Sequence, residues 1–144
     1  MTQTNRILLV FITVLLAACT STPAPTPVVK VVGQQVSVPD GTYTDVLPAE
    51  LQTMLVNKDF TFVNVHIPFE GDIANTDLSI PYDQIGQNLE KLPADKNAKI
   101  VLYCRSGRMS SIAAKTLVSQ GYTNVWNLAG GMVSWEQAGL PIKR

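Results

Sequence analysis

Residues 99–110 read K-I-V-L-Y-C-R-S-G-R-M-S, and this stretch decides the fold. K-I-V-L-Y at 99–103 carries a continuous apolar run, the pattern of a central parallel strand that helices cover on both faces. Cys104 follows directly. Ile112, Ala113, Thr116 and Leu117 then recur at helical spacing, and Gly121 ends the segment. A buried strand that runs through a short loop into a helix is half of a strand–helix–strand unit, and the flanking sequence supplies the other halves.

Upstream, Tyr43 to Val46 is a short strand candidate. Leu47-Pro48-Ala49-Glu50 opens a helix, with proline where its missing N–H costs nothing, and Leu51, Met54 and Leu55 keep helical spacing. Phe60 to Ile67 reads as a buried strand bounded by Pro68. Glu70 to Asp77 is irregular, and Leu78 to Ile80 is a short edge strand. Ile85, Leu89 and Leu92 predict a helix over Tyr82 to Leu92, stopped by Pro93. Downstream, Asn124 to Leu128 is a strand, and Gly130-Gly131 leads into a short helix with Val133 and Trp135 that ends near Gly139. Tyr82, Trp126 and Trp135 are core candidates. The alternation predicts an α/β domain with a mostly parallel sheet. In such sheets ligands bind at the carboxyl ends of the strands, which is where Cys104 falls.

The chain has 144 residues, enough for one domain. Eleven basic and eleven acidic side chains balance, which argues against a nucleic-acid partner held by a basic surface. Two cysteines and one histidine are too few for a disulfide-dense fold or a self-contained zinc site, so no metal is expected. There is no G-x-G-x-x-G, and no cofactor is expected.

The first 18 residues read as an export signal. Arg6 precedes an apolar run from Ile7 to Leu16, about half the roughly 20 residues that a spanning helix needs. Leu16-Ala17-Ala18-Cys19 resembles the lipobox of bacterial lipoproteins at all four positions. The resemblance implies lipidation of Cys19 and a mature chain that starts there, held on a membrane surface outside the cytoplasm, periplasmic or extracellular. Residues 19–41 form a tether and lead-in. T-S-T-P-A-P-T-P at 20–27 cannot build a core. Residues 28–38 read equally as strand or linker. The folded domain is expected over 42–144, as a monomer.

The loop after the strand carries the chemistry. Amides in the loop and the first helical turn lack partners, and the helix dipole adds positive potential, so both favour thiolate at Cys104. Gly107 allows a tight cradle of N–H donors, and Arg105 and Arg108 add planar donors suited to oxyanions. A thiolate in an anion cradle suits sulfur transfer and also phosphate-ester cleavage.

C-R-S-G-R-M-S at 104–110 matches every fixed position of C-R-x-G-R-x-S, and the chain is identified by it as similar to the rhodanese-like sulfurtransferases. Gly121-Tyr122…Val125, Leu128…Gly130-Gly131, Trp135 and Gly139-Leu140-Pro141 resemble the same family's ending. The resemblance runs from about Thr42 to Ile142 and implies a five-stranded parallel sheet flanked by helices. It also implies a covalent course. Cys104 takes the outer sulfur of an anionic donor such as thiosulfate, and backbone amides of Arg105, Ser106, Gly107, Arg108 and Met109 hold the persulfide, with Ser110 closing the loop. Cyanide or a thiol then accepts the sulfur.

A second motif of this family, D-V-R with a following glutamate, is altered here. Asn64 replaces the acid, His66 replaces the arginine, and Glu70 is retained. These three residues are expected at the pocket wall. His66, the sole histidine, is either a partner of Cys104 or a hydrogen-bonded wall residue. Two other functions compete with sulfur transfer. A phosphatase or arsenate-reductase chemistry would need C-x₅-R or a longer loop, and Ser110 stands where that arginine would be. A non-catalytic sulfur-carrier or redox module would keep Cys104 without turnover.

Overall fold

The computed structural model describes residues 30–144. The export signal, Cys19 and the Pro/Thr tether lie outside the described residues. The elements in chain order are β1 (Gln34–Val38), β2 (Gly41–Val46), α1 (Pro48–Val56), β3 (Thr61–Asn64), β4 (Asp72–Ile73), β5 (Leu78–Ser79), β6 (Ile100–Tyr103), α2 (Arg108–Ser119), β7 (Val125–Leu128), α3 (Gly131–Gln137) and β8 (Ile142–Lys143).

The central sheet has six strands in the order β1-β2-β7-β6-β3-β5. Strands β2, β7, β6, β3 and β5 are mutually parallel, as expected. The addition is β1, which pairs antiparallel with β2 through a two-residue turn at Pro39-Asp40. Residues 34–38, ambiguous in sequence, are therefore strand, and the sheet takes in residues placed in the lead-in before Thr42. A second, two-stranded sheet joins β4 to β8 near the C-terminus, inside the segment read as irregular.

Alternation along the central strands explains why both faces are covered. Val63, Val65, Leu102 and Cys104 face one core with Ala113, Ala114 and Leu117 of α2. Phe62, Val101 and Tyr103 face a second core with Leu51 of α1 and Met132 and Trp135 of α3. Consecutive residues that point to opposite, equally dry faces give the unbroken apolar run seen at 100–103.

The helix expected over Tyr82 to Leu92 is absent. Two 3₁₀ turns, Ile85–Gln87 and Leu89–Lys91, stand in its place. Gly86 weakens the helix, and Asn88 donates from its side-chain nitrogen to the Gln84 carbonyl at 2.8 Å, a local bond that competes with the helical ladder. The apolar spacing survives because Ile85 is still buried and Leu89 packs on the first core.

Two polar anchors hold the ends of this fold. Tyr103, fully buried, places its hydroxyl against the Ile73 amide (3.1 Å), the Thr76 hydroxyl (2.7 Å) and Asp72 Oδ1 (2.9 Å). Burial, foremost, pushes its phenol well above the ordinary tyrosine range, so it stays a neutral donor to Asp72. Glu50, in the first turn of α1, accepts from the amides of Val32 (2.9 Å), Gly33 (3.0 Å) and Leu47 (2.9 Å). One carboxylate thus caps the helix and clamps the chain entering β1.

Burial of Glu50 favours the acid form, but amides of Gly33, Leu47 and Val32 outweigh it and hold the carboxyl below its usual range. A carboxyl lowered in the folded state stabilises above the unfolded value, and that stability is lost as pH falls through the folded value. Glu50→Gln is expected to cost about 1–2 kcal/mol at neutral pH in thermal or urea unfolding. The gap from the native chain should narrow as pH falls below the ordinary glutamate range and close only below the lowered folded value, where Glu50 is protonated in both states.

Candidate active site

Cys104 directly follows β6 and is 1% exposed. Its Sγ accepts from the Gly107 amide at 3.1 Å and lies 3.4 Å from the Ser110 hydroxyl. That hydroxyl also reaches the Gly107 carbonyl at 3.2 Å, so its single proton serves one acceptor at a time. The loop can fold this tightly because Gly107, the residue before α2, has φ +86°, a left-handed conformation that side chains disfavour. The next three amides, of Arg108, Met109 and Ser110, open α2 and have no partner within it. The loop therefore sets the sulfur against the Gly107 N–H at the positive end of a helix.

A neighbouring element braces the loop from below. The Met132 and Val133 amides, at the start of α3, donate to the carbonyls of Cys104 and Arg105, each at 2.9 Å. The approach is so close that a Cβ at Gly131 would overlap the Cys104 carbonyl oxygen and lie 2.7 Å from the Arg105 carbonyl carbon. Gly131 is a positioning residue that residue-by-residue reading of the chemistry did not single out. Its signal was the glycine pair ahead of a short helix.

The remaining sequence candidates divide by position. Arg105, Ser106 and Arg108 are exposed at the mouth, Met109 packs partly on the first core, and Ser110 is fully buried. The Arg105 guanidinium pairs with Glu70 Oε2. Among the described residues Arg108 has no carboxylate partner. The Arg105 contact, more than the neighbouring His66, holds the Glu70 carboxyl below the usual glutamate range.

His66 does not pair with Cys104. Its Nε2 lies 3.6 Å from Glu70 Oε1, and neither ring nitrogen has a hydrogen-bond partner although the side chain is only 6% exposed. With Asn64 it walls a cleft of about 160 Å³ beside Ile67, Phe69 and Ile80. Asn64 is a structural tie. Its amide donates to the Gly71 carbonyl (3.0 Å) and Asp72 Oδ1 (2.9 Å), and its oxygen accepts from the His66 amide (3.0 Å). An ionised aspartate here would lack those donors and would face Asp72, so the amide fits where an acid would not.

A thiol that accepts from the Gly107 amide at a strand–helix junction, on a sheet with five parallel strands, agrees with what sequence comparison finds. The pattern of the rhodanese-like domain matches residues 56–138. The chain belongs to the rhodanese-like family. A sulfurtransferase of Allochromatium vinosum is 36% identical over 94 residues, 63% of this chain and 85% of that protein. A tRNA uridine(34) hydroxylase of Erwinia tasmaniensis is 30% identical over 105 residues, and the rhodanese-like match spans only 30% of its length. A rhodanese-related protein of Thermoplasma volcanium superposes with a TM-score of 0.58 at 31% identity, covering 68% of this chain and 95% of that one. A rhodanese-like domain protein of Staphylococcus aureus gives 0.57 at 32% identity, covering 69% and 98%.

The close approach at α3 predicts the behaviour of Gly131→Ala in this rhodanese-like domain. The added methyl must push the 104–105 backbone away, and φ is +58° there. A loss of about 2–4 kcal/mol in urea unfolding is expected. Alkylation of Cys104 by iodoacetamide, followed under native conditions, should change with it.

Proposed function

We propose that this protein is a sulfurtransferase that carries sulfur as a persulfide on Cys104. The observation that supports it is the Gly107 amide already pointing at Sγ at 3.1 Å, with the first-turn amides of α2 beside it. As thiolate, Cys104 attacks the outer sulfur of an anionic donor of the thiosulfate type. The donor's S–S bond breaks and its electron pair leaves with the departing sulfite, so charge is conserved and no oxidant is needed. The persulfide's outer sulfur then lies among amide donors that stabilise its negative charge. A thiophilic acceptor, cyanide or a thiolate, attacks that sulfur and returns Cys104 as thiolate. Neither step requires a separate base once the thiolate exists, consistent with His66 standing against Glu70 rather than the sulfur. Arg108, which has no carboxylate partner among the described residues, steers the donor, and Ser110 supplies a hydroxyl to the sulfur.

We also propose export and lipid attachment at Cys19, which the four lipobox positions support. Cys19→Ser should release the protein from the membrane fraction.

Mass spectrometry of the soluble domain after incubation with a sulfane-sulfur donor tests the central reading. A gain of one sulfur on Cys104, lost on adding cyanide, is expected, and Cys104→Ser should show none. Arg108→Gln should lower the second-order loading constant about tenfold, an effect that shrinks in 0.5 M salt as screening shortens. No gain with any anionic donor would leave the carrier or redox reading in its place.

A further inference from the structure

The two ends of the domain along the strand axis differ in character. At the amino ends of the parallel strands the surface is charged, and Lys58 pairs with Asp77 and Lys99 with Asp59 there. The carboxyl ends are different. Six large apolar side chains are exposed among the described residues, and four lie at this end: Val32 (68%), Leu47 (61%), Phe69 (62%) and Val133 (37%). Ile112 stands one turn into α2, and only Val56, the last residue of α1, is at the opposite end. Bonds across the surface place the four in one arc around the Cys104 mouth. The amides of Val32 and Leu47 both donate to Glu50, and the Ala129 amide ties the end of β7 to Val46. The Val133 amide holds the Arg105 carbonyl, and Arg105 meets Glu70 beside Phe69. Apolar side chains scattered singly need no explanation, but an arc of them around one opening marks an interaction surface. The chain also enters the domain at this end, because β1 runs antiparallel to β2 and Glu50 clamps Val32 and Gly33.

We infer that this arc is a membrane-docking surface: Val32, Leu47, Phe69 and Val133 enter the headgroup region of the bilayer that holds the Cys19 lipid, and the Cys104 mouth faces that bilayer. The inference rests on the lipid attachment proposed above and not on sulfur transfer. Thirteen residues separate Cys19 from Val32, so the edge of the arc lies within roughly 45 Å of the anchor. An anchor that near makes docking an intramolecular event, in which a weak surface preference suffices. The apolar side chains supply that preference by leaving water for the interface. Lys30 and Arg108, exposed at this end without a carboxylate partner among the described residues, suit anionic headgroups. The charged amino end stays in water. A second copy or a soluble partner would also cover an apolar arc, but neither accounts for the entry of the anchored chain at the same end.

Fluorescence quenching by lipid-borne quenchers tests this on the full, acylated chain in vesicles of phosphatidylethanolamine and phosphatidylglycerol. With Cys19 acylated, Cys104→Ser leaves no other thiol, so a fluorophore is placed through Leu47→Cys, Phe69→Cys, Val133→Cys or Val56→Cys, one at a time. All four side chains are exposed, so the variants are expected to fold, and a melting curve checks it. Labels at 47, 69 and 133 are expected to be quenched about threefold more than the label at 56, because a docked apolar face sits about 5–10 Å into the headgroup boundary. Leu47→Ser combined with Val133→Ser should lower quenching at 69 toward the value at 56. An acylated chain that stays on the vesicles with equal quenching at all four positions, or most at 56, overturns the inference and leaves lipid attachment intact. Shielding of 47, 69 and 133 that requires a second copy or an added soluble protein, with no lipid quenching, also overturns it. A chain with no acyl mass on Cys19 that does not sediment with the vesicles overturns both readings together.

Discussion

Two backbone hydrogen bonds determine where the thiol sits. The Met132 and Val133 amides hold the carbonyls of Cys104 and Arg105, and so fix the loop to α3 from outside its own strand–helix unit. Everything chemical depends on that fixation. A sulfur that is 1% exposed is screened from solvent, so donors around it serve the chemistry best when the fold has already aimed them. Glycines at 107 and 131 make the geometry reachable, one by turning the loop and the other by letting two backbones touch.

The candidate site was legible from the sequence where its parts are contiguous. Cys104 to Ser110 act through backbone amides set by their own loop, so order along the chain is nearly order in space. The parallel strands were legible for a similar reason: burial on both faces writes itself as an apolar run. What depends on distant partners was not legible. Q-Q-V-S-V by itself left strand and linker equally open at 34–38, and pairing with Gly41 to Val46 decides for strand. The failed helix at 82–92 shows the converse, where correct apolar spacing coexists with a glycine and a competing asparagine. The partner of Glu70 was also hidden, because 35 residues separate it from Arg105.

The altered strand-end motif is a coherent local solution rather than a decayed one. Asn64 makes three hydrogen bonds, and the two it donates, to the Gly71 carbonyl and to Asp72, are ones an aspartate could not make. His66 brings bulk without a fixed charge, and Glu70 then answers to the active-site arginine. Changes at one strand end thus alter the electrostatics of the next, through a side chain that meets the active-site loop at Arg105.

The antiparallel strand at the start of the domain has a consequence for how copies of this protein behave near one another. Without it, β2 would expose a row of unpaired amides and carbonyls, a template on which another chain's strand could dock. β1 occupies that row, and its own outer residues are polar glutamines and a serine. The opposite edge, β5, is only two residues long and ends against Pro81. The short β5 margin is a poor seed for intermolecular pairing, and at the other margin any strand that approaches β1 meets polar side chains rather than an apolar face.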